Sequence, residues 1–212
     1  MSRYALDERT DLAESLRAAG PHAPTLCGDW DTNRLAAHLV LRERSLVEVL
    51  GRVPSSVVKA IAQRSVDRYL ASHSYEEVVA QVEAGAPMLS PFALPPLREA
   101  VNLLEYLVHD EDVRRAGVGW HPRSLPVDRQ QAIWSTLRRA ARLTLRSLPV
   151  TTELSWPSHG SVTIGRGEVR VTVSGDPVEL ALLAFGRQRV AELAYDGTPD
   201  DVAAVRGAEI AV

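Results

Sequence analysis

Leu97-Arg98-Glu99-Ala100-Val101-Asn102-Leu103-Leu104-Glu105-Tyr106-Leu107-Val108-His109-Asp110-Glu111-Asp112-Val113-Arg114-Arg115-Ala116 is the stretch on which the fold turns. Leu97, Val101, Leu104 and Val108 recur at intervals of three and four, which places them on one side of a 3.6-residue helical repeat. Gly117 and Gly119 close the helix. Glu105 and His109 lie one turn apart and border that apolar stripe, so Glu105 is expected to face the protein interior. A carboxylate there is costly unless a cation compensates it. A metal would do so, and so would an arginine.

The same helical period runs through the first two thirds of the chain. Residues 6–19 begin with Asp7 and Glu8, favourable at a helix N-terminus, and stop at Gly20-Pro21. After the loop Pro24-Thr25-Leu26-Cys27-Gly28-Asp29-Trp30, the pair Asp31-Thr32 is expected to cap a helix reaching Leu50 and ended by Gly51. Leu35, His38, Leu39, Leu46, Val49 and Leu50 share one of its faces. Residues 54–71 and 75–85 give two more helices, the second capped by Ser74 or Ser72. Pro87, Pro91, Pro95 and Pro96 mark a connector, and a further helix is expected from Pro126 to Leu148 with Ile133, Trp134, Leu137, Ala141, Leu145 and Leu148 inward.

The period changes at Pro149. Residues 150–156 and 161–165 read as short strands around Pro157-Ser158-His159-Gly160, and Val169, Val171 and Val173 alternate with polar residues at the period of a half-buried strand. Asp176-Pro177-Val178-Glu179 reads as a helix start, with Asp176 as cap and Glu179 as the acidic third residue. Val190–Tyr195 is expected as a strand, Asp196-Gly197 as a turn and residues 199–206 as a short helix. The expected fold is therefore mainly α: a helical domain over residues 1–148, then a small α+β domain over residues 149–212.

Composition narrows the function classes. The chain has 212 residues, 45% hydrophobic and 24% charged, with a net charge of −3, which offers no electrostatic footprint for nucleic acid or an anionic membrane. Lys59 is the one lysine among 24 basic residues, and the arginines and acids are read as scattered. Cys27 is the single cysteine, which rules out an intrachain disulfide and an all-thiolate zinc site. The polar N-terminus lacks a secretory apolar run, and no stretch reaches the ~18 apolar residues needed to span a bilayer, so a cytoplasmic protein is expected.

His38, on the apolar face of the second helix, is the third candidate ligand beside Glu105 and His109. Cofactor sites in helical bundles use inward side chains from facing helices. Two imidazoles and one carboxylate leave a coordination position open, as in catalytic zinc sites. Zinc is the expected ion, and the same donors suit nickel or iron(II).

Thr25-Leu26-Cys27-Gly28-Asp29-Trp30-Asp31-Thr32-Asn33-Arg34-Leu35-Ala36-Ala37-His38-Leu39 resembles the opening signature of the DinB-like superfamily, nearest to its mycothiol-dependent maleylpyruvate isomerase branch. There a Gly-Trp turn precedes a helix carrying the first metal-binding histidine. Glu105-Tyr106-Leu107-Val108-His109-Asp110-Glu111-Asp112-Val113-Arg114-Arg115 resembles the second metal segment of that family. Val173-Ser174-Gly175-Asp176-Pro177-Val178-Glu179-Leu180 through Phe185-Gly186-Arg187 is similar to its small C-terminal domain. The resemblance implies a four-helix bundle with an α+β appendage, His38, Glu105 and His109 as metal ligands, and a proline-rich connector shaping the pocket mouth. Asp110 stands where many relatives carry a second histidine, so the resemblance assigns that position no ligand role.

Other residues have two readings. Cys27 is a fourth ligand or reactive thiol, or else a small buried hydrophobe. Asp112 orients the free nitrogen of His109, or pairs with Arg115 on a solvated face. Trp30 wedges its loop onto the helices or binds ligand, and His121 lies at a pocket rim or is merely exposed. Arg187 anchors a substrate anion, or is a surface charge at a helix end. His22, His73 and His159 read as surface residues.

The function implied is a metal- and thiol-dependent isomerase or S-transferase in which the ion activates mycothiol or a similar low-molecular-weight thiol, acting on a small-molecule substrate as a monomer or homodimer. A non-catalytic metal-binding or stress-associated protein, and a metal-dependent hydrolase, use the same ligands. Whether the chain is an enzyme at all stays open at this point.

Overall fold

The computed structural model describes residues 4–44, 56–86 and 95–210. The expected continuation of the second helix through Leu46, Val49, Leu50 and Gly51 lies outside the described residues, as do Pro87, Pro91 and the side chains of Leu97 and Val101. By its internal contacts the chain divides into two compact units, Met1–His121 and Pro122–Val212.

The first unit is helical. Its described elements are α1 (Tyr4–Ala19), α2 (Thr32–Arg44), α3 (Ser56–Leu70), α4 (Tyr75–Ala84) and α5 (Pro95–Arg114). Gly20 at φ 76° stops α1. The Asp31 carboxylate caps α2 by accepting from the Arg34 amide at 2.9 Å. Ser74, rather than Ser72, caps α4, and with Glu77 it forms a full capping box. α5 begins at Pro95, two residues earlier than the apolar period indicates, because proline's fixed φ and missing N–H suit a first helical turn. α1 packs along α5 and α4, while α2 packs on α4 and α3. Leu12, Leu16, Leu35, Leu39, Val78, Val82 and Tyr106 fill the space between them, all buried. Each such leucine contributes about 1.5–3 kcal/mol.

The second unit carries α6 (Val127–Thr144), β1 (Thr152–Trp156), β2 (Gly160–Ile164), β3 (Val171–Ser174), α7 (Pro177–Ala184), β4 (Ala194–Gly197) and α8 (Pro199–Arg206). The sheet order is β2-β1-β3-β4, with β1 parallel to β3 and the other pairs antiparallel. The chain is thus mainly helical with a small four-stranded sheet toward its C-terminus. α6 packs on α7 and on β2, burying Ile133, Trp134, Leu137 and Ala141. The break between units and the change of sequence period at Pro149 therefore do not coincide.

Three local expectations are corrected. Asp196-Gly197 is strand and not turn, pairing with Thr172 and Val171. A Cβ on Gly197 would come within 2.6 Å of the Arg170 carbonyl oxygen, so the glycine there serves close strand packing. Asp176 occupies the cap position of α7 without a side-chain capping bond. The Glu179 carboxylate instead accepts from the Glu192 amide at 2.8 Å. Finally, α6 ends at Thr144, short of Leu148. Among the described residues no helix is long and apolar enough to cross a membrane.

Candidate metal centre

The site lies in the first unit, where two helices run past one another in opposite senses. On α2, His38 and Arg42 are one turn apart. On α5, Asn102, Glu105 and His109 follow at intervals of three and four, so they too share a face. Going up α2 meets α5 going down. The His38 and His109 rings meet edge to face at 6.1 Å between centroids. One turn on, Arg42 Nε lies 3.2 Å from Glu105 Oε1, and its Nη1 donates to Asn102 Oδ1 at 3.0 Å.

The donor atoms of His38, Glu105 and His109 all lie within 4.8 Å of one another, so the structure brings together the three residues singled out in the sequence. Ligands of a tetrahedral zinc ion stand about 3.4 Å apart at ordinary bond lengths. The span is within reach of small side-chain adjustments. His109 faces the centre with Nε2, 3.4 Å from Glu105 Oε1.

The other nitrogen of His109, Nδ1, is 2.9 Å from Asp112 Oδ2. Of the two readings of Asp112, the structure thus supports the one in which it orients the ring. Cys27 joins the same group. Its Sγ is 3.0 Å from Asp112 Oδ2 and 3.6 Å from His109 Nδ1, and these three residues form a second set of close potential ligands. Burial alone would lower the His109 pKa, but the hydrogen bonds with Asp112, Cys27 and Glu105 prevail and hold it well above the ordinary histidine value.

The loop before α2 positions Cys27. Leu26 N donates to the Asp112 carbonyl at 3.1 Å, tying the loop to the end of α5. Thr25 Oγ1 donates to the Trp30 carbonyl at 2.7 Å and accepts from the Cys27 amide at 3.1 Å. Gly28, at φ 65°, makes the turn between them. Trp30 packs on His38 with 5.0 Å between ring centroids, so it supports the candidate ligand as well as the loop.

Sequence reasoning missed Arg42. It is buried, as is Glu105, and it supplies the positive charge that an inward carboxylate requires. Its position four residues after His38 was the available signal. Beside it, the Tyr106 hydroxyl donates to Glu43, and Arg9 Nη2 donates to that hydroxyl at 3.1 Å. Burial pushes the Glu43 carboxyl up, with Arg9, Arg42 and Arg44 opposing. Glu111, also fully buried, pairs with Arg114 and Arg115, and Arg115 lies over the Trp120 ring at 4.4 Å.

The remaining candidates stand elsewhere. His121, His22 and His159 are exposed, and His159 stacks on Trp156. His73 is half-buried and stacked on Tyr69 at 4.1 Å. Arg187 belongs to the second unit and donates to the Phe185 carbonyl at 2.5 Å.

Comparison with known proteins adds a family. The model of the mycothiol maleylpyruvate isomerase N-terminal domain matches residues 3–142. The chain belongs to this family. Within the mycothiol maleylpyruvate isomerase family a solved relative is similar in fold: the crystal structure of a histidine-to-alanine mutant of the mycothiol-dependent maleylpyruvate isomerase. It superposes with a TM-score of 0.56 at 14% sequence identity, covering 90% of each chain. No curated protein matches this chain. The resemblance read from the Gly-Trp loop and the Glu105–His109 segment is thereby established, both as family and as fold.

Proposed function

We propose that the chain binds a divalent metal, zinc first among the candidates, through His38, Glu105 and His109, and uses it to activate a low-molecular-weight thiol such as mycothiol toward a small electrophilic substrate. The observation that carries this reading is the convergence of the three donor groups within 4.8 Å, with His109 held from behind by Asp112. The donor set suits the ion: two imidazoles and one carboxylate are the ligands of open catalytic zinc sites. A divalent metal supplies there a lowered pKa for a coordinated thiol, which is then a nucleophile at neutral pH.

The chain's own residues have separate tasks. Asp112 holds His109 so that Nε2 points inward. Arg42 fixes one oxygen of Glu105 and screens its charge. Trp30 covers one side of the His38 ring. Family membership favours a thiol cosubstrate.

A second reading, an ion that is bound without catalysis, draws on Arg42. A guanidinium that already satisfies Glu105 weakens the centre's hold on a second cation. The deciding experiment measures metal in protein purified without a histidine tag, for the natural chain and His38→Ala. Stoichiometric metal that is lost in the variant supports the site. Turnover of an electrophile with mycothiol, lost in the same variant, then supports the enzyme. Absence of stoichiometric metal overturns both readings.

A further inference from the structure

The second unit holds a feature with no part in the metal centre. A cleft of about 380 Å³ lies between α6 and β2, lined by Ser135, Arg138, Arg139, Arg142 and Val162. On α6 the four polar residues stand at i, i+3, i+4 and i+7, so they form one continuous stripe. Although the arginines look scattered along the sequence, α6 carries four of them against a single acid, Asp128 in its first turn.

The three cleft arginines form no ion pair among the described residues. Arg139 Nη2 lies 3.4 Å from Ser135 Oγ, and Arg138 sits 5.9 Å from the Trp134 ring centroid. The facing strand brings no acid to that side. Val162 pairs with Leu154, on the face of the sheet that buries Thr152, Leu154 and Trp156. Glu153 pairs with Thr163 and so points to the opposite face, where Ser161 donates to it at 2.7 Å. Like charges at i, i+4, as at Arg138 and Arg142, destabilise a helix unless something separates them. The helix C-terminus favours Arg142 but does not reach Arg138 and Arg139.

We propose that this cleft is a binding site for a small molecule bearing two or more oxyanion groups, phosphoryl or carboxylate. Guanidinium groups grip such oxygens in pairs. The volume falls within the range of small-molecule sites, and Val162 offers an apolar floor beside the charges. The Ser135 hydroxyl adds one neutral donor. Nothing in the site depends on His38, Glu105 or His109.

The test is calorimetric titration of the full chain with inorganic pyrophosphate and, separately, with citrate, at low and physiological ionic strength. Saturable one-to-one binding is expected for at least one of them, and which one identifies the oxyanion. Arg138→Gln and Arg142→Gln should each weaken it about tenfold, the loss of one charged hydrogen bond. Arg129→Gln, on the same helix outside the cleft, should leave it unchanged. Arg138 and Arg142 are exposed, so their variants should fold, and melting curves check this independently: pyrophosphate or citrate should raise the Tm of the natural chain but not of the double variant. Three results would overturn the proposal: no saturable heat with either anion, equal weakening by Arg129→Gln, or arginine-dependent binding of nucleic acid with none of small anions.

Discussion

His109 Nδ1 lies 2.9 Å from Asp112 Oδ2, and its Nε2 lies 3.4 Å from Glu105 Oε1, so one imidazole bridges two buried carboxylates. Asp112 decides which nitrogen faces the candidate ligands. Asp112→Asn keeps the shape and removes the charge. Zinc affinity, measured by competition with a chelating dye, should fall about 10- to 100-fold with helix content unchanged. Unaltered affinity would remove Asp112 from the site.

Arg42 and Glu105 form a buried ion pair, each side chain about one-twentieth exposed. Breaking such a pair from one side typically costs about 3–5 kcal/mol. Arg42→Met should show a loss of that order in urea unfolding of chelator-treated protein. Zinc supplies the missing positive charge, so the loss should shrink when the ion is present. Equal losses under both conditions would mean that Glu105 does not receive the metal.

Stability of the metal-free protein should depend on pH through His109. Its folded-state pKa is raised, so protonation of the ring stabilises the fold. That contribution is complete below the unfolded value of about 6.5 and is lost as pH climbs through the raised folded value. Unfolding free energies of chelated protein should therefore decline from near-neutral pH upward, and His109→Gln should flatten the slope. Zinc affinity should rise over the same interval, because the ion displaces the proton.

The capping box of α4 offers a control remote from the metal. Ser74→Ala removes the side-chain bond to the Glu77 amide and should cost about 1 kcal/mol in unfolding free energy. Zinc affinity should not change. A drop in affinity would show that α4 carries strain to the centre.

The helices and the Glu105–His109 pair were legible because both depend on short-range spacing, whereas His38 was fixed as the third candidate ligand by the family resemblance. Leu104 with Val108, Glu105 with His109, and Asp31 before Thr32 declare themselves within a turn or two of chain. Contacts between distant segments were not. The stripe of Ile133, Trp134 and Leu137 tells that α6 is covered, but not that α7 and β2 cover it. Asp196-Gly197 has turn chemistry locally, yet pairing with β3 prevails. Cys27 and Asp112 are 85 residues apart, and only the fold sets the thiol against the carboxylate. Arg42 was accessible through its spacing from His38, but charge on an apolar helix face is hard to read without its partner.

The guanidinium beside Glu105 also bears on the order of events in the life of the chain. A carboxylate that folds around an ion must wait for that ion, and in metal-poor conditions such a protein accumulates unfolded. Here Arg42 accompanies Glu105 into the interior from the start. The fold therefore does not need the proposed metal in order to bury Glu105.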